Sequence, residues 1–336
     1  MTGGAPEGAR SDGPDISVVI PAYNEKDYIA ATVRCALEHI PARYAREVIV
    51  VDHGSQDDTV RIAREAGADV LEYPDAPTIS ALRNAGVARS RGRILVFLDA
   101  DTTLTPAWTE AAPAVLDGLD TEPMQLTGAR RRVPEGMNVL AKYWFAPKAD
   151  EVAPTHIGGG HIVTTRRLFD AVGGFPAGME TGEDYRFCLD AKAAGARLHA
   201  VPALGAVHNG LPRTLRQFFD REAWHGRGDW TNLHTVLTTK VALATLIFLG
   251  LHLLLVAGLV GVFAWPAAAP WPAWAAGAAV LGIVGLCLAS SFLKFHGRGP
   301  VHVLFNTAVY FIYYVARSVA FFSALTRRRI IKHERA

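Results

Sequence analysis

Apolar residues fall into three regimes along this chain. In the first hundred residues, short apolar runs alternate with stretches of helical spacing. Ile16–Ile20, Glu47–Val51, Val70–Leu71 and Ile94–Leu98 are the runs. Such runs, bounded by polar residues, fit strands buried on both faces of a parallel sheet. Between the first two runs, Tyr28, Ile29, Thr32, Val33, Ala36, Leu37 and Ile40 share one helical face. A second helix ends at Glu65 before Gly67, and a third spans Ile79 to Ala88. The alternation predicts an α/β fold, a mostly parallel sheet flanked by helices with right-handed crossovers. From Pro106 to about Val152 the signal weakens, and beyond it Gly-rich and polar motifs interrupt the pattern. It predicts a helix over Ala111–Leu119, a strand over Gln125–Arg132, a helix opening at Glu183-Asp184, and a short strand from Val201 to His208. The third regime is apolar. Val241–Trp265 and Ala273–Leu293 are each long enough to span a membrane, and so is Val301–Leu325.

The strand ends carry the chemistry. Pro21-Ala22-Tyr23-Asn24-Glu25, Asp52, and the pair Asp99 and Asp101 follow the first, second and fourth apolar runs. Open α/β sheets hold ligands at those carboxyl ends. Two carboxylates one residue apart repel, and a divalent cation relieves the repulsion while taking hard oxygen ligands. A solvated acidic turn is the plainer alternative. Tyr23 also fits a cap on the core, and Asp52 a cap on the next helix. No Gly-x-Gly-x-x-Gly or Gly-x-x-x-x-Gly-Lys-Ser/Thr follows the first strand, so dinucleotide and P-loop fingerprints are absent.

Composition adds little. A net charge of +2 gives no reason to expect a nucleic-acid partner. Cys35, Cys188 and Cys287 are scattered, which suggests neither a disulfide framework nor a zinc site and fits a reducing compartment. Residues 1–15 are rich in Gly, Pro and charge and read as a disordered leader rather than a signal peptide.

The segments Ser17-Val18-Val19-Ile20-Pro21-Ala22-Tyr23-Asn24-Glu25, Val50-Val51-Asp52-His53-Gly54-Ser55, Leu82-Arg83-Asn84-Ala85-Gly86 and Phe97-Leu98-Asp99-Ala100-Asp101 stand in this order. Together they resemble family 2 glycosyltransferases of the GT-A fold, and later motifs extend the resemblance to about Asp229. The resemblance implies a nucleotide-sugar site. Pro21, Ala22, Tyr23 and Glu25 would line the base and ribose pocket. Asp52 would read the nucleobase edge, Arg83 would sit near the base or diphosphate, and Asp99 would face the ribose. Asp101 would bind Mg²⁺ or Mn²⁺, with Asp99 and His208 as further ligands. His53 stands where the family often has a second Asp, which weakens the assignment of the nucleotide. Gly158-Gly159-Gly160-His161 would shape the acceptor side. Asp184 would be the general base of an inverting transfer, with Glu183 orienting it or binding acceptor. Glu183 or Asp184 also fits a helix N-cap.

Arg130, Arg131 and Arg132 fit either a solvated basic face or attraction to a phosphorylated acceptor or lipid. Arg221, Trp224 and Arg227 fit acceptor or diphosphate contacts, or an interfacial helix. The expected organisation is a GT-A domain over 16–235, a membrane region over 236–325 and a basic tail over 326–336. Spans are placed at about 241–265 and 273–293, with the enzyme domain cytoplasmic by the positive-inside rule. The segment 301–325 carries a polar stripe of His302, Asn306, Tyr310, Tyr313 and Arg317. It reads as an interfacial or re-entrant helix with its tail on anionic lipid, or as a third span with Arg317 in the bundle. The expected activity is transfer from a nucleotide sugar, uridine diphosphate favoured, to a lipid-linked or other membrane-proximal glycan acceptor. Processive polysaccharide synthesis, nucleotidyl transfer and a non-catalytic membrane scaffold are the rivals.

Overall fold

The computed structural model describes residues 13–145, 154–179, 181–230, 233–265 and 270–326. The expected leader and basic tail lie largely outside the described residues. The chain divides into two compact units, Met1–Gly136 with Ala146–Leu211, and Met137–Phe145 with Pro212–Ala336. Residues 212–235, assigned above to the first domain, therefore group with the apolar helices.

In the first unit, β1 (Ile16–Ala22), β2 (Arg46–Asp52), β3 (Asp69–Glu72) and β4 (Ile94–Leu98) alternate with α1 (Ile29–His39), α2 (Thr59–Glu65) and α3 (Ile79–Arg89). Next come β5 (Thr102–Leu104), α4 (Pro106–Thr121), β6 (Gln125–Gly128), β7 (His161–Thr165), α5 (Arg166–Ala171), α6 (Glu183–Ala193), β8 (Arg197–Ala200) and β9 (Ala206–His208). The seven-stranded sheet runs β3-β2-β1-β4-β7-β6-β8, and β5 pairs with β9 separately. The first four strands are mutually parallel, and β7 is antiparallel to both its neighbours. Strand order reverses between β1 and β4, so the carboxyl ends of these strands open a crevice. All seven residues of β1 and all five of β4 are buried, as their unbroken apolar runs require.

Three local expectations change. α4 begins at Pro106, because proline is suited to the first helical turn, and it buries Trp108 completely. β6 stops at Gly128 instead of reaching Arg132. A side chain at Gly128 would strike the His161 carbonyl. The chain instead leaves the sheet, and Arg132 exchanges backbone hydrogen bonds with Ala206 and His208. The polar edge strand β8 has no counterpart in the apolar pattern.

The second unit contains a π-helical turn over Ala141–Phe145 and α7 (Leu215–His225), which Thr214 and Gln217 close with a capping box. A 3₁₀ turn over Gly226–Trp230 and α8 (Leu233–Thr238) lead to α9 (Lys240–Ala264), α10 (Trp271–Phe295) and α11 (Pro300–Thr326). These last three helices are long and apolar enough to cross a membrane. Yet α11 does not run alongside α10 like a returning span. Ser291 donates to the Val303 carbonyl, while the adjacent Ser290 meets the Tyr314 hydroxyl, both at 2.7 Å. Eleven residues of α11 rise about 16 Å, whereas antiparallel packing would bring Tyr314 level with residue about 280. α11 therefore crosses obliquely near the C-terminal end of α10. Tyr314 also stacks on Phe248, about two turns into α9.

The polar stripe of α11 faces protein. Asn306 donates to the Tyr143 carbonyl, and Tyr310 and Tyr313 pack on Trp144. Arg317 pairs with Glu222 at 3.0 Å and Asp229 at 2.8 Å. Gly226 lets α7 end against α11, since a side chain there would overlap Ala320 and Arg317.

Candidate active site

The loops after β1 and β2 lock together. Asn24 adopts a left-handed conformation at φ +52°, which Asn tolerates better than most residues. Its backbone N–H donates to Ser55 Oγ at 2.9 Å, and its side chain accepts from the Gln56 N–H at 2.8 Å. The Glu25 N–H donates to Thr59 Oγ1. Asp52 is buried and accepts from both the backbone and hydroxyl of Ser55. It thus fixes its own turn and does not cap α2. Pro21, Ala22 and Glu25 are buried around it, while Tyr23 is half-buried with its ring edge-on to His53 at 5.8 Å.

A chain of charges continues under the crevice. Arg83 on α3 is fully buried, donating to Glu183 at 2.7 Å and to Asp99 at 3.0 Å, with the Phe175 ring beneath its guanidinium. Asn84 holds Phe175 there by bonding both its backbone N–H and its carbonyl. Arg131 takes the other Asp99 oxygen at 2.6 Å. Burial alone would raise the Asp99 pKa, but Arg131 and Arg83 outweigh it and hold the carboxyl below its ordinary value. Gly159 and Gly160 make this possible. A Cβ at Gly159 would crowd Arg83, and one at Gly160 would overlap Arg131 and Asp99.

This geometry divides the expected metal set. His208 Nε2 lies 3.3 Å from Asp101 Oδ2, whereas Asp99 is turned to the two arginines. Among the described residues no three His, Cys, Asp or Glu side chains gather as a metal site. Asp101 and His208 still offer an adjacent oxygen and nitrogen, a donor set that suits Mn²⁺ or Mg²⁺ when a ligand supplies further oxygens.

Asp184 sits in the first turn of α6 and is half-buried. Its oxygens accept from the Gly159 N–H at 2.8 Å and the Tyr185 N–H at 2.7 Å. Glu183 reaches Arg83 rather than its neighbour. It acts on Asp184 only through the backbone they share.

One expectation fails on position. His161 lies in the core and does not line an acceptor surface. Its ring nitrogens meet Trp108 Nε1 at 3.1 Å and the Ala129 N–H at 3.2 Å. Arg221, Trp224 and Arg227 belong to the second unit. There Arg221 pairs with Glu222, and Arg227 covers the Trp224 ring. Sequence reasoning also missed Arg131. Nothing distinguishes the middle of three arginines, although the nearby glycines mark a close approach.

A sheet with carboxylates gathered at its switch point has them where open α/β folds hold their ligands. Comparison with known proteins makes this specific. The family model "Glycosyl transferase family 2" matches residues 17–144, and "Glycosyl transferase family group 2" matches 94–290. The chain belongs to the family 2 glycosyltransferases and is a glycosyltransferase. It is 29% identical over 212 residues to the glycosyltransferase AglE of Haloferax volcanii, covering 59% of this chain and 68% of that one. It is 30% identical over 230 residues to the pre-mycofactocin glycosyltransferase of Mycobacterium tuberculosis, covering 63% of this chain but only 46% of that protein. Among solved structures, a Pyrobaculum calidifontis mannosyltransferase in complex with GDP-Man and Mn²⁺ superposes with a TM-score of 0.57 at 18% identity. That superposition covers 94% of this chain and 88% of the other, and it supports the GT-A fold.

The buried His161 generates a pH prediction. Burial, helped by the nearby charge of Arg131, pushes its imidazole down to about 4. The unfolded chain takes up a proton near pH 6.5, whereas the folded chain resists until about 4. Stability is therefore fully present above 6.5 and falls as the pH drops toward 4, by up to about 3 kcal/mol. Thermal midpoints of the protein and of His161→Gln should converge as pH falls through this window. A difference that stays constant with pH contradicts the assignment.

Proposed function

We propose that this enzyme inverts the anomeric centre of a nucleotide-diphospho-sugar as it passes the sugar to a lipid-linked or other membrane-proximal acceptor. The observation that carries the reading is the Glu183–Arg83–Asp99 bridge. It ties the neighbour of Asp184 to the neighbour-but-one of Asp101, and so holds an acceptor-activating carboxylate against the donor end of the sheet.

On this reading Asp184 accepts the proton of the acceptor hydroxyl as its oxygen attacks the anomeric carbon, opposite the departing diphosphate. Two N–H donors fix the Asp184 carboxylate for that role. Tyr23, Pro21, Ala22 and Glu25 line the base and ribose pocket, and Asp52 accepts from an N–H on the base edge. Uracil is the favoured base. Asp99, held by Arg83 and Arg131, shapes the ribose side. Mg²⁺ or Mn²⁺, held by Asp101 and His208, would neutralise charge on the leaving diphosphate. Glu183 positions Arg83.

The expected result for Asp184→Asn is a loss of about 10²- to 10⁴-fold in transfer, with nucleotide affinity kept. Release of nucleoside diphosphate from a panel of nucleotide sugars, with extracted membrane lipid as acceptor and mass spectrometry of the product, measures it. Undiminished turnover removes Asp184 as the base.

We further propose that α9 and α10 form a spanning hairpin and that α11 lies along the cytoplasmic surface. Its oblique crossing near the end of α10 and its inward-facing polar stripe support this. The natural cysteines are buried, so a Thr326→Cys variant offers one reactive thiol among the described residues. An impermeant maleimide should label it from the cytoplasmic face of sealed vesicles. Labelling only from the opposite face makes α11 a third span.

A further inference from the structure

Residues 155–159 are strapped along α6 at three points. The Thr155 carbonyl accepts from Lys192 Nζ at 2.9 Å, the Ile157 N–H meets Cys188 Sγ at 3.3 Å, and the Gly159 N–H donates to Asp184 at 2.8 Å. The ties step by two residues on the segment and by four, one helical turn, on α6. Alternate residues of an extended segment point to opposite sides. Ile157 and Gly159 are buried, while Gly158 between them and Thr155 and His156 before them are exposed.

The helix contributes a matching outer row. Phe187, Cys188 and Ala191 fill the core, but Tyr185 and Leu189, one turn apart, are 48% and 41% exposed. The Tyr185 ring meets His156 edge-on, with centroids 5.6 Å apart and planes at 76°. The fold gains little burial from either ring. Gly158 adjoins Asp184, since a Cβ there would have only its carboxylate oxygen within 4 Å, at 3.8 Å.

We propose that Tyr185, braced edge-on by His156, is a saccharide-stacking shelf that holds the acceptor sugar with its hydroxyl at Asp184. Tyr185 follows Asp184 directly on α6, and Gly158, two residues from His156, borders the Asp184 carboxylate. A pyranose presents apolar C–H faces and a polar rim. Rings that are apolar on the face and polar at the tip, such as tyrosine and imidazole, match it. The strap preorganises the shelf, since both sides are fixed to the same helix. The inference rests on the transferase reading and names its acceptor class as a glycoside, the neighbouring Tyr185 being the residue that selects it.

The test uses the full-length protein in detergent, saturation-transfer NMR, and methyl glycosides of common hexoses as probes. At least one glycoside should show transfer to its ring protons. Tyr185→Ala should weaken that binding about tenfold, while Tyr185→Phe, which keeps the ring, stays within a fewfold of the parent. Affinity for the nucleoside diphosphate, measured by calorimetry in the same variants, should stay unchanged and reports that the site is still folded. The shelf is overturned if no glycoside binds, if Tyr185→Ala binds as well as the parent, or if a polyprenyl phosphate but no glycoside competes for the surface. Failure of every nucleotide sugar to turn over would instead strike the transferase reading, with glycoside binding still measurable.

Discussion

A fully buried guanidinium is costly unless its charge is met, and Arg83 is met from two sides. Glu183 and Asp99 come from distant parts of the chain, the start of α6 and the end of β4. One cation therefore fixes the spacing between two distant strips of sequence. Phe175 below it and Gly159 beside it are arranged to admit the planar group. Losing either carboxylate would leave a buried charge unbalanced, so the constraint serves stability and site geometry at once.

The second unit repeats the device. Arg317 sits nine-tenths buried between Glu222 and Asp229, and burial raises the pKa of Asp229 even though Arg317 pulls against it. The polar stripe that makes α11 an awkward span is the surface α11 gives to α7 and the π-helical turn. A pattern that looks like exposure to lipid headgroups is, in this fold, a protein contact.

The strands that build the crevice were legible because burial on both faces demands unbroken apolar runs, as in Ile16–Ile20 and Ile94–Leu98. The polar strand ends Tyr23, Asp52, Asp99 and Asp101 stood out against them. β8 was not legible, since an edge strand with Arg197 and His199 has no such demand. Nor was the early end of β6, where the next N–H, of Ala129, turns to the His161 ring instead of a neighbouring strand. The inequality of Asp99 and Asp101 was only partly visible. It arises from Arg131, whose partner is set by a turn the apolar pattern does not describe. His161 was misplaced because a histidine after three glycines looks like a ligand contact, while its place in the core is shared with Trp108 on α4, far off in sequence.

The most direct measurement is the anomeric configuration of the first product, read by proton NMR coupling constants before it can equilibrate. A single carboxylate at Asp184 acting as base, with attack opposite the diphosphate, predicts a configuration inverted from that of the donor sugar. Retained configuration would contradict the account, because a single base with attack opposite the diphosphate gives inversion only.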